Sequence, residues 1–484
     1  MGLAAAEAGK LDIALRAFDT VLGIDPQRHD ARIQRARCLV QAGNHAEAEQ
    51  EADLCRGAVQ DKPKLLDLLA TVYSHIGKQE KAEPLARRAS ELAPADLAIL
   101  SNAAAIQLFV GEDQRAAGNL TRTLQLAPQH YRSHWQLSKA RRAADEHHCE
   151  QMETLLADPA CADDGRVYLH YALGKEYEDL QQWQRAWEHY RDGTALQRNR
   201  IRYSADDGEA LFECLKHTFD RQWFEETMEA GGSAQGRTQD SPIFILGLPR
   251  SGSTLVERII GSHSQVQALG ELPQWPLAVK RLARVRAPGL FRPDIVTGAA
   301  ALAPQQFAER YRAEIGFLRD GSPFFSDKLP DNFLYLPLLA KAFPDARMVH
   351  VHRNPMDSCF AMFKQLFADA HPYSYSQQEL ADYYAGYRQL MDQWRSLLGD
   401  RLVEVDYDAL VQQQETQTRQ LLERLGLPFE EACLAFHRTP GAAATASAAQ
   451  VRQPMHNRSV GRWRQFEAGL APLRQALAAR GLDV

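Results

Sequence analysis

Glycine recurs every 34 residues in the first quarter of the chain, at Gly9, Gly43, Gly77 and Gly111. Alanine recurs at the same period, at Ala14, Ala48, Ala82 and Ala116. Proline fills a third column at Pro26, Pro94 and Pro128, with Gln60 in the remaining place. Three columns that agree in one frame indicate a stack of repeated units, in which each unit buries its apolar face against its neighbours.

Each column suits a pair of antiparallel helices. Glycine permits the tight turn between the two helices, and the small alanine lets the second helix pack closely on the first. Proline ends the second helix because it has no backbone N–H to donate. A 34-residue period with these columns resembles the tetratricopeptide repeat, here with a first repeat that lacks its opening residues. We expect this all-α solenoid to cover residues 1–130.

The repeat frame breaks after Pro128 and returns in part further along. Leu173-Gly174, Tyr177, Ala186 and Tyr190 restore the small and aromatic positions of such a repeat. We therefore predict a degenerate helical segment over residues 131–230. The run His147-His148-Cys149-Glu150 invites a metal-binding interpretation, but adjacent side chains on a helix point in different directions. A solvated helix face is the expectation for this run.

Two roles are open for the repeat array. The concave groove of a solenoid commonly binds a peptide or a partner protein. The alternative is a structural brace that packs on the domain that follows. The sequence alone leaves both open.

A second domain is predicted over residues 241–484. Gly231-Gly232-Ser233-Ala234-Gln235-Gly236 is typical of a flexible linker, which we place at residues 231–240. A buried strand pattern follows at residues 242–247, then a turn, then an apolar-periodic helix that starts near Ser253. A strand, a glycine-bracketed turn and a helix N-terminus form a cradle for a phosphate group, because the first backbone N–H groups of the helix point at the anion.

The turn departs from the common nucleotide-binding loop in one position. Gly247 and Gly252 have its spacing, but Ser253 stands where that loop has lysine, and Arg250 lies inside the turn instead. A kinase or nucleotide triphosphatase is therefore disfavoured. An arginine with neighbouring hydroxyls suits a phosphate–sulfate anhydride that is bound without magnesium, so no metal is expected.

This loop resembles the 5′-phosphosulfate loop of sulfotransferases that use 3′-phosphoadenosine-5′-phosphosulfate, in particular their tyrosylprotein-sulfotransferase-like branch. The resemblance implies an α/β domain with a central parallel sheet. It also implies that this donor is bound by two sets of residues. The first set is the loop itself, with Arg250, Ser251, Gly252, Ser253 and Thr254. The second set matches the family's 3′-phosphate site, its nucleotide-contacting tyrosine and the segment over the phosphates, with Arg353, Ser358, Tyr407, Ser447 and Arg462.

The same resemblance implies three catalytic residues. Glu271 matches the family's catalytic glutamate and would take the proton from the acceptor hydroxyl. Lys328 matches a lysine near the bridging oxygen and, with Arg250, would neutralise charge on the leaving phosphate. Three histidines near these motifs could also act as a base in principle, although two of them alternate along a predicted strand and more simply form local contacts: His263, His350 and His352.

The acceptor stays open at this stage. Tyrosylprotein enzymes have basic residues after the catalytic glutamate, where this chain has Leu272-Pro273-Gln274-Trp275. A peptide tyrosine, a carbohydrate, a lipid and a phenol all remain candidates. The alternative to an enzyme is a repeat scaffold whose second domain binds nucleotide but is catalytically inactive.

The net charge, the hydropathy pattern and the cysteines indicate the cellular compartment and exclude some classes of partner. The formal net charge of −6 argues against a protein that coats nucleic acid, and the apolar runs are too short for a membrane span. Seven scattered cysteines without a CxxC pair indicate reduced thiols. The first residues run directly into an amphipathic helix pattern, so we expect no secretory leader and a cytoplasmic location.

Overall fold

The computed structural model describes residues 2–229, 241–439 and 450–484. Within the described residues the chain forms two compact units, one over residues 2–179 and one that begins at Leu180 and extends to Val484. The predicted linker at 231–240 lies outside the described residues.

The first unit consists of helices joined by short turns. They are α1 Gly2–Glu7, α2 Leu11–Ile24, α3 His29–Gln41, α4 His45–Asp53, α5 Pro63–His75, α6 Gln79–Leu92, α7 Leu97–Val110, α8 Asp113–Leu126, α9 Tyr131–Ala140, α10 His147–Ala157 and α11 Asp163–Asp179.

The three repeat columns have the predicted places in this unit. Each of the four glycines lies in the turn between two paired helices and has a positive φ, from 68° at Gly9 to 86° at Gly111. The four alanines are fully buried. The three prolines follow the second helix of their pair by two residues, so they lie in the turn to the next repeat. The prediction of an N-terminal helical repeat region is confirmed.

The expectation of a solvated face at residues 147–150 is wrong for two of the four residues. His147 and Glu150 are exposed, but His148 and Cys149 are buried. His148 Nδ1 lies 2.7 Å from Glu176 Oε1, and His148 Nε2 lies 2.8 Å from His134 Nδ1. Helix α10 turns this pair of residues towards α9 and α11, so the polar groups are satisfied inside the unit.

The second unit combines helices with one parallel sheet. Its strands are β1 Ser241–Gly247, β2 Val266–Ala268, β3 Phe324–Lys328, β4 Arg347–His352 and β5 Leu402–Asp406. Its α-helices are α12 Trp183–Arg200, α13 Ala205–Thr218, α14 Arg221–Glu229, α15 Ser253–Ile260, α16 Gln274–Leu282, α17 Pro293–Ala300, α18 Pro304–Ile315, α19 Leu336–Ala342, α20 Pro355–Phe363, α21 Gln377–Leu398, α22 Tyr407–Gln412, α23 Gln414–Leu425 and α24 Ala471–Ala478.

The sheet has the strand order β2-β3-β1-β4-β5, and all neighbouring strands are parallel. Every residue of β1 is buried, as expected for a central strand with helices on both faces. Aromatic side chains fill one face of this core, where Phe244, Trp275, Tyr311 and Phe343 meet with ring centroids 5.4–6.0 Å apart. The predicted α/β class with a central parallel sheet is confirmed.

The helices in the described parts of the chain include none that combines the length and the apolar character of a membrane span.

Candidate functional site

Four loops leave the same edge of the sheet. Because the strands are parallel, their carboxyl ends meet at one edge, which is where α/β proteins place their ligands. Arg250 follows β1, Lys328 ends β3, Arg353 follows β4 and Tyr407 follows β5. In the register of the sheet, Lys328 pairs with Ile245. The topology therefore gathers side chains that are far apart along the chain.

Two glycines shape the loop between β1 and α15. A Cβ on Gly247, whose φ is 145°, would lie 2.3 Å from the backbone oxygen of Val351. A Cβ on Gly252, whose φ is 108°, would lie 2.2 Å from the Tyr407 ring. Both positions thus require glycine for space as well as for conformation. Arg250 also has a positive φ, of 67°, which is uncommon for a residue with a side chain.

Two guanidinium groups lie close together above this loop. Burial and the nearby charge of Arg353 lower the pKa of Arg250 to about 10. Arg353 is itself buried, and its Nε has no hydrogen-bond partner among the described residues. The buried Ser251 Oγ also lacks one. Two like charges and two unsatisfied donors at a helix N-terminus are the arrangement that an anion would stabilise.

Arg353 is held by contacts from two directions. Its Nη2 donates to the backbone oxygen of Ser459 at 2.7 Å, and its guanidinium lies 4.8 Å from the centre of the Tyr407 ring. The Tyr407 hydroxyl lies 2.7 Å from Ser459 Oγ. Tyr407 therefore connects Gly252 of the loop, Arg353 and the C-terminal part of the chain.

These residues border an open cleft, where the empty space, together with the solvent at its mouth, amounts to about 780 Å³. Among the described residues that line it, four carry cationic side chains and Asp357 alone carries a carboxylate. Apolar and aromatic groups line the rest. The cationic part consists of Arg250, Arg353, Lys364 and Arg462. The apolar part consists of Leu255, Phe360, Phe436, Val451 and Met455. A cleft with this mixture of cationic and apolar lining suits a small anionic ligand with a flat apolar portion.

Asp357 is a cleft residue that the sequence patterns did not identify. Its two carboxylate oxygens accept hydrogen bonds from the backbone N–H groups of Gly461, at 2.6 Å, and Trp463, at 3.2 Å. Its Oδ2 also lies 3.5 Å from Arg353 Nη2. Asp357 thus fixes the turn that carries Arg462. The only sequence signal was an aspartate one turn into the helix after Asn354-Pro355.

Lys328 and Glu271 form an ion pair at the end of β3. Lys328 is fully buried, its Nζ donates to Glu271 Oε1, and the Glu271 side chain is 39% exposed. Lys328 N donates to the Gly270 backbone oxygen at 2.9 Å, which ties the turn of Glu271 to the strand. The pair combines a buried cation with a carboxylate that solvent or a substrate can reach.

Two more buried acids surround Lys328, and sequence reasoning missed both. Glu257 accepts hydrogen bonds from the Gly270 N–H at 3.0 Å and from the Ser326 hydroxyl at 3.2 Å, and burial raises its pKa. Burial raises the pKa of Asp327 to about 8. Burial thus shifts the pKa of both acids in the direction that favours their neutral forms.

The three histidines considered as alternative bases have structural contacts. His263 Nε2 donates to the Pro428 oxygen at 2.9 Å, and its Nδ1 accepts from the Gln265 N–H at 3.1 Å. His350 is buried between Glu404 and Tyr387. His352 lies 3.6 Å from Glu404. None of the three is among the residues that line the cleft.

The structure divides the sequence-predicted residues into groups. Those that line the cleft are Arg250, Gly252, Arg353, Tyr407 and Arg462. Those that are buried beside it without lining it are Ser251, Ser253, Thr254 and Ser358. Glu271 and Lys328 lie at the same sheet edge but are not lining residues. Ser447 lies outside the described residues. Within the described part of the chain, no cluster of three or more histidine, cysteine or acidic side chains has a geometry that could hold a metal ion.

Two family models match separate parts of the chain. Residues 5–72 match a tetratricopeptide-repeat model, and residues 242–431 match a model described as the sulfotransferase family. The second match includes the phosphate loop, Glu271, Lys328, Arg353 and Tyr407 and ends before Arg462.

Individual proteins are similar to parts of this chain. An uncharacterised protein of Aquifex aeolicus (strain VF5) is 28% identical over 425 residues, which are 86% of this chain and 55% of that protein. The chain thus spans about half the length of this relative. A putative protein-tyrosine sulfotransferase of Caenorhabditis briggsae is 24% identical over 227 residues, 46% of this chain and 80% of that protein. The solved sulfotransferase domain from the curacin biosynthetic pathway is 14% identical, with 51% of this chain and 99% of that domain covered and a TM-score of 0.36.

Proposed function

We propose that this chain, which joins tetratricopeptide repeats to a sulfotransferase-family domain, transfers a sulfonate group from 3′-phosphoadenosine-5′-phosphosulfate to an acceptor hydroxyl. The observation that carries the proposal is the pair of converging guanidiniums, Arg250 and Arg353, at the N-terminal end of α15. A ligand with two separated anionic groups would satisfy both. The apolar wall with Phe360 and Phe436 would accommodate its adenine base.

The form of the phosphate loop supports a phosphosulfate over a nucleoside triphosphate. The loop has Ser253 in the place of the lysine that contacts the β- and γ-phosphates of a triphosphate. Arginine forks and backbone N–H groups bind an anhydride without a bridging cation. We therefore propose donor binding that does not require magnesium.

The chemistry assigned to the chain uses three side chains. Glu271 takes the proton from the acceptor hydroxyl as the new sulfur–oxygen bond forms. The sulfur–oxygen bond to the donor phosphate breaks, and the electron pair stays on the phosphate oxygen. Lys328, whose buried ammonium lies beside Glu271, neutralises that developing charge together with Arg250. The products are the sulfated acceptor and adenosine 3′,5′-bisphosphate.

Several classes of acceptor hydroxyl fit the proposed reaction. The relative named a putative protein-tyrosine sulfotransferase makes a peptide tyrosine the first acceptor to test. Carbohydrate, lipid and phenol hydroxyls remain candidates, because the residues after Glu271 are not basic. We propose that the array docks a partner or the acceptor, and that the protein is cytoplasmic, since none of its seven cysteines forms a disulfide.

A transfer assay tests this function. The full chain is incubated with sulfur-35-labelled donor, with excess chelator, and with a tyrosine peptide, a nitrophenol, an oligosaccharide and a lipid alcohol in separate reactions. We expect label on at least one hydroxyl acceptor, at a rate that the chelator leaves unchanged. Tight binding of adenosine 3′,5′-bisphosphate without any transfer would favour the alternative, a repeat scaffold with an inactive nucleotide-binding domain.

A further inference from the structure

The first residue of helix α12 contacts a residue of the cleft. The guanidinium of Arg462 lies over the Trp183 ring, 4.4 Å from its centre. Arg462 also lines the cleft together with Arg250 and Arg353. Trp183 lies outside the matched sulfotransferase segment of residues 242–431, in the part of the chain where the sequence indicates a degenerate repeat.

Helix α12 is firmly seated within the second unit. The Trp187 ring stacks on Phe363 of α20 with centroids 5.6 Å apart. Trp187 also lies over Gly469, where a Cβ would come within 2.1 Å of the indole. At the other end of the helix, Arg198 donates to both carboxylate oxygens of Glu379, at 2.7 and 2.6 Å. A helix fixed at both ends presents Trp183 in a defined place.

The segment that carries Arg462, residues 450–466, is here called the C-terminal strap. It supplies eight of the residues that line the cleft, including Val451, Met455 and Ser459. Asp357 holds one side of the strap through two backbone N–H groups. Helix α12 holds the other side, because the strap residue Phe466 packs against Trp183 at 5.9 Å and against Tyr190 at 6.4 Å.

We propose that Trp183 is a positioning residue for the donor cleft, acting through Arg462. An arginine side chain on a 3-10 turn has many rotamers, and ordering it on binding costs conformational entropy. The face of an indole attracts a guanidinium and restricts its position. Trp183 therefore holds the Arg462 charge at the cleft before a ligand arrives. The donor site thus extends beyond the sulfotransferase-family segment to a helix that precedes it. This inference rests on the proposed function, because it takes adenosine 3′,5′-bisphosphate as the ligand.

The test is a double-mutant cycle on the full chain. Dissociation constants for adenosine 3′,5′-bisphosphate are measured for wild type, Trp183→Leu, Arg462→Ala and the double variant. Leucine keeps an apolar contact with Phe466 but has no π face. We expect Trp183→Leu to weaken binding by roughly three- to thirtyfold, the range of a cation–π contact. In the Arg462→Ala background the same substitution should change the constant by less than about twofold, because its target is gone.

Two further variants separate positioning from folding. Trp183→Phe keeps an aromatic face and should recover most of the affinity. Phe429→Leu removes a comparable contact elsewhere in the unit, where Arg419 lies 3.5 Å from the ring centre. It should lower thermal stability at most and leave the dissociation constant unchanged. If Trp183→Leu does not fold, Trp183→Met takes its place, since it also lacks an aromatic face.

The outcomes for this inference and for the proposed function differ. Wild-type protein that does not bind the bisphosphate contradicts the proposed function itself. Wild-type protein that binds, with Trp183→Leu equal to it in affinity, overturns the inference alone. Equal losses from Trp183→Leu with and without Arg462 also overturn it, since they show that Trp183 does not act through that residue.

Discussion

The variant Glu271→Gln is expected to lose turnover by about 10²–10⁴-fold, the range for removal of a positioned general base. The amide is nearly isosteric with the carboxylate, and it can still accept the hydrogen bond from Lys328. The cleft residues are unchanged, so the affinity for adenosine 3′,5′-bisphosphate should stay within about twofold of wild type. The loss should therefore appear in kcat and not in donor binding.

The acceptor provides an internal control for this prediction. A nitrophenol is largely ionised at neutral pH and needs little help from a base, so the deficit of Glu271→Gln should shrink with it. Glu430→Gln is the matched control, because the Glu430 carboxylate accepts hydrogen bonds from Ser264 and not from Lys328. This variant should turn over both acceptors at wild-type rates. If Glu271→Gln keeps the wild-type rate with a weakly acidic hydroxyl, Glu271 is not the base. If donor binding also collapses, Glu271 is structural.

The variant Lys328→Met should reduce turnover by about 10²–10³-fold, as expected when a group that stabilises developing negative charge is removed from a buried site. Methionine has a similar length and no charge, so the space between β3 and Glu271 stays filled. Unlike the loss in Glu271→Gln, this deficit should persist with nitrophenol, because Lys328 acts on the leaving phosphate. Single-turnover rates with saturating donor measure it directly.

A second buried lysine provides the matched control. Lys341 is buried and donates to the Trp223 backbone oxygen at 2.5 Å. Both Lys341→Met and Lys328→Met can lower the thermal unfolding midpoint, because each removes a buried charge and its hydrogen bond. Lys341→Met should nevertheless leave the single-turnover rate unchanged. Equal rates for Lys328→Met and wild type would show that the buried charge has no part in the transfer step.

The repeat array and the phosphate loop could be predicted because their signals are local. Gly9 and the three equivalent glycines each indicate a turn between the two helices of one repeat. The same glycine, alanine and proline positions recur in successive repeats, which strengthens the prediction. Arg250 and Gly252 both lie within a loop of five residues, 248–252, so the sequence pattern and the loop geometry coincide. Periodicity also identified the strand before this loop, since a central parallel strand is apolar along its whole length.

The features that sequence reasoning missed depend on contacts across the chain. Asp357 caps backbone groups of Gly461 and Trp463, about a hundred residues further on. Glu257 looks like a polar residue on an amphipathic helix, yet its carboxylate bonds the turn before Glu271. In the sequence, Trp183 is one aromatic residue in a segment that resembles a degenerate repeat. The contact of its ring with the Arg462 guanidinium becomes visible only in the fold. Spacing along one segment carries no information on these partners.

Calorimetry of nucleotide binding tests the central claim most directly. Wild-type protein and Arg353→Ala are titrated with adenosine 3′,5′-bisphosphate, adenosine 5′-phosphosulfate and ATP, each with magnesium and with excess chelator. We expect the wild type to bind the bisphosphate equally well under both conditions and more tightly than ATP. Arg353→Ala should weaken the bisphosphate by about 1.5–3 kcal/mol, roughly ten- to a hundredfold, and leave adenosine 5′-phosphosulfate nearly unchanged. A strict magnesium requirement, or a preference for ATP, would contradict the assignment of this cleft to a phosphosulfate donor.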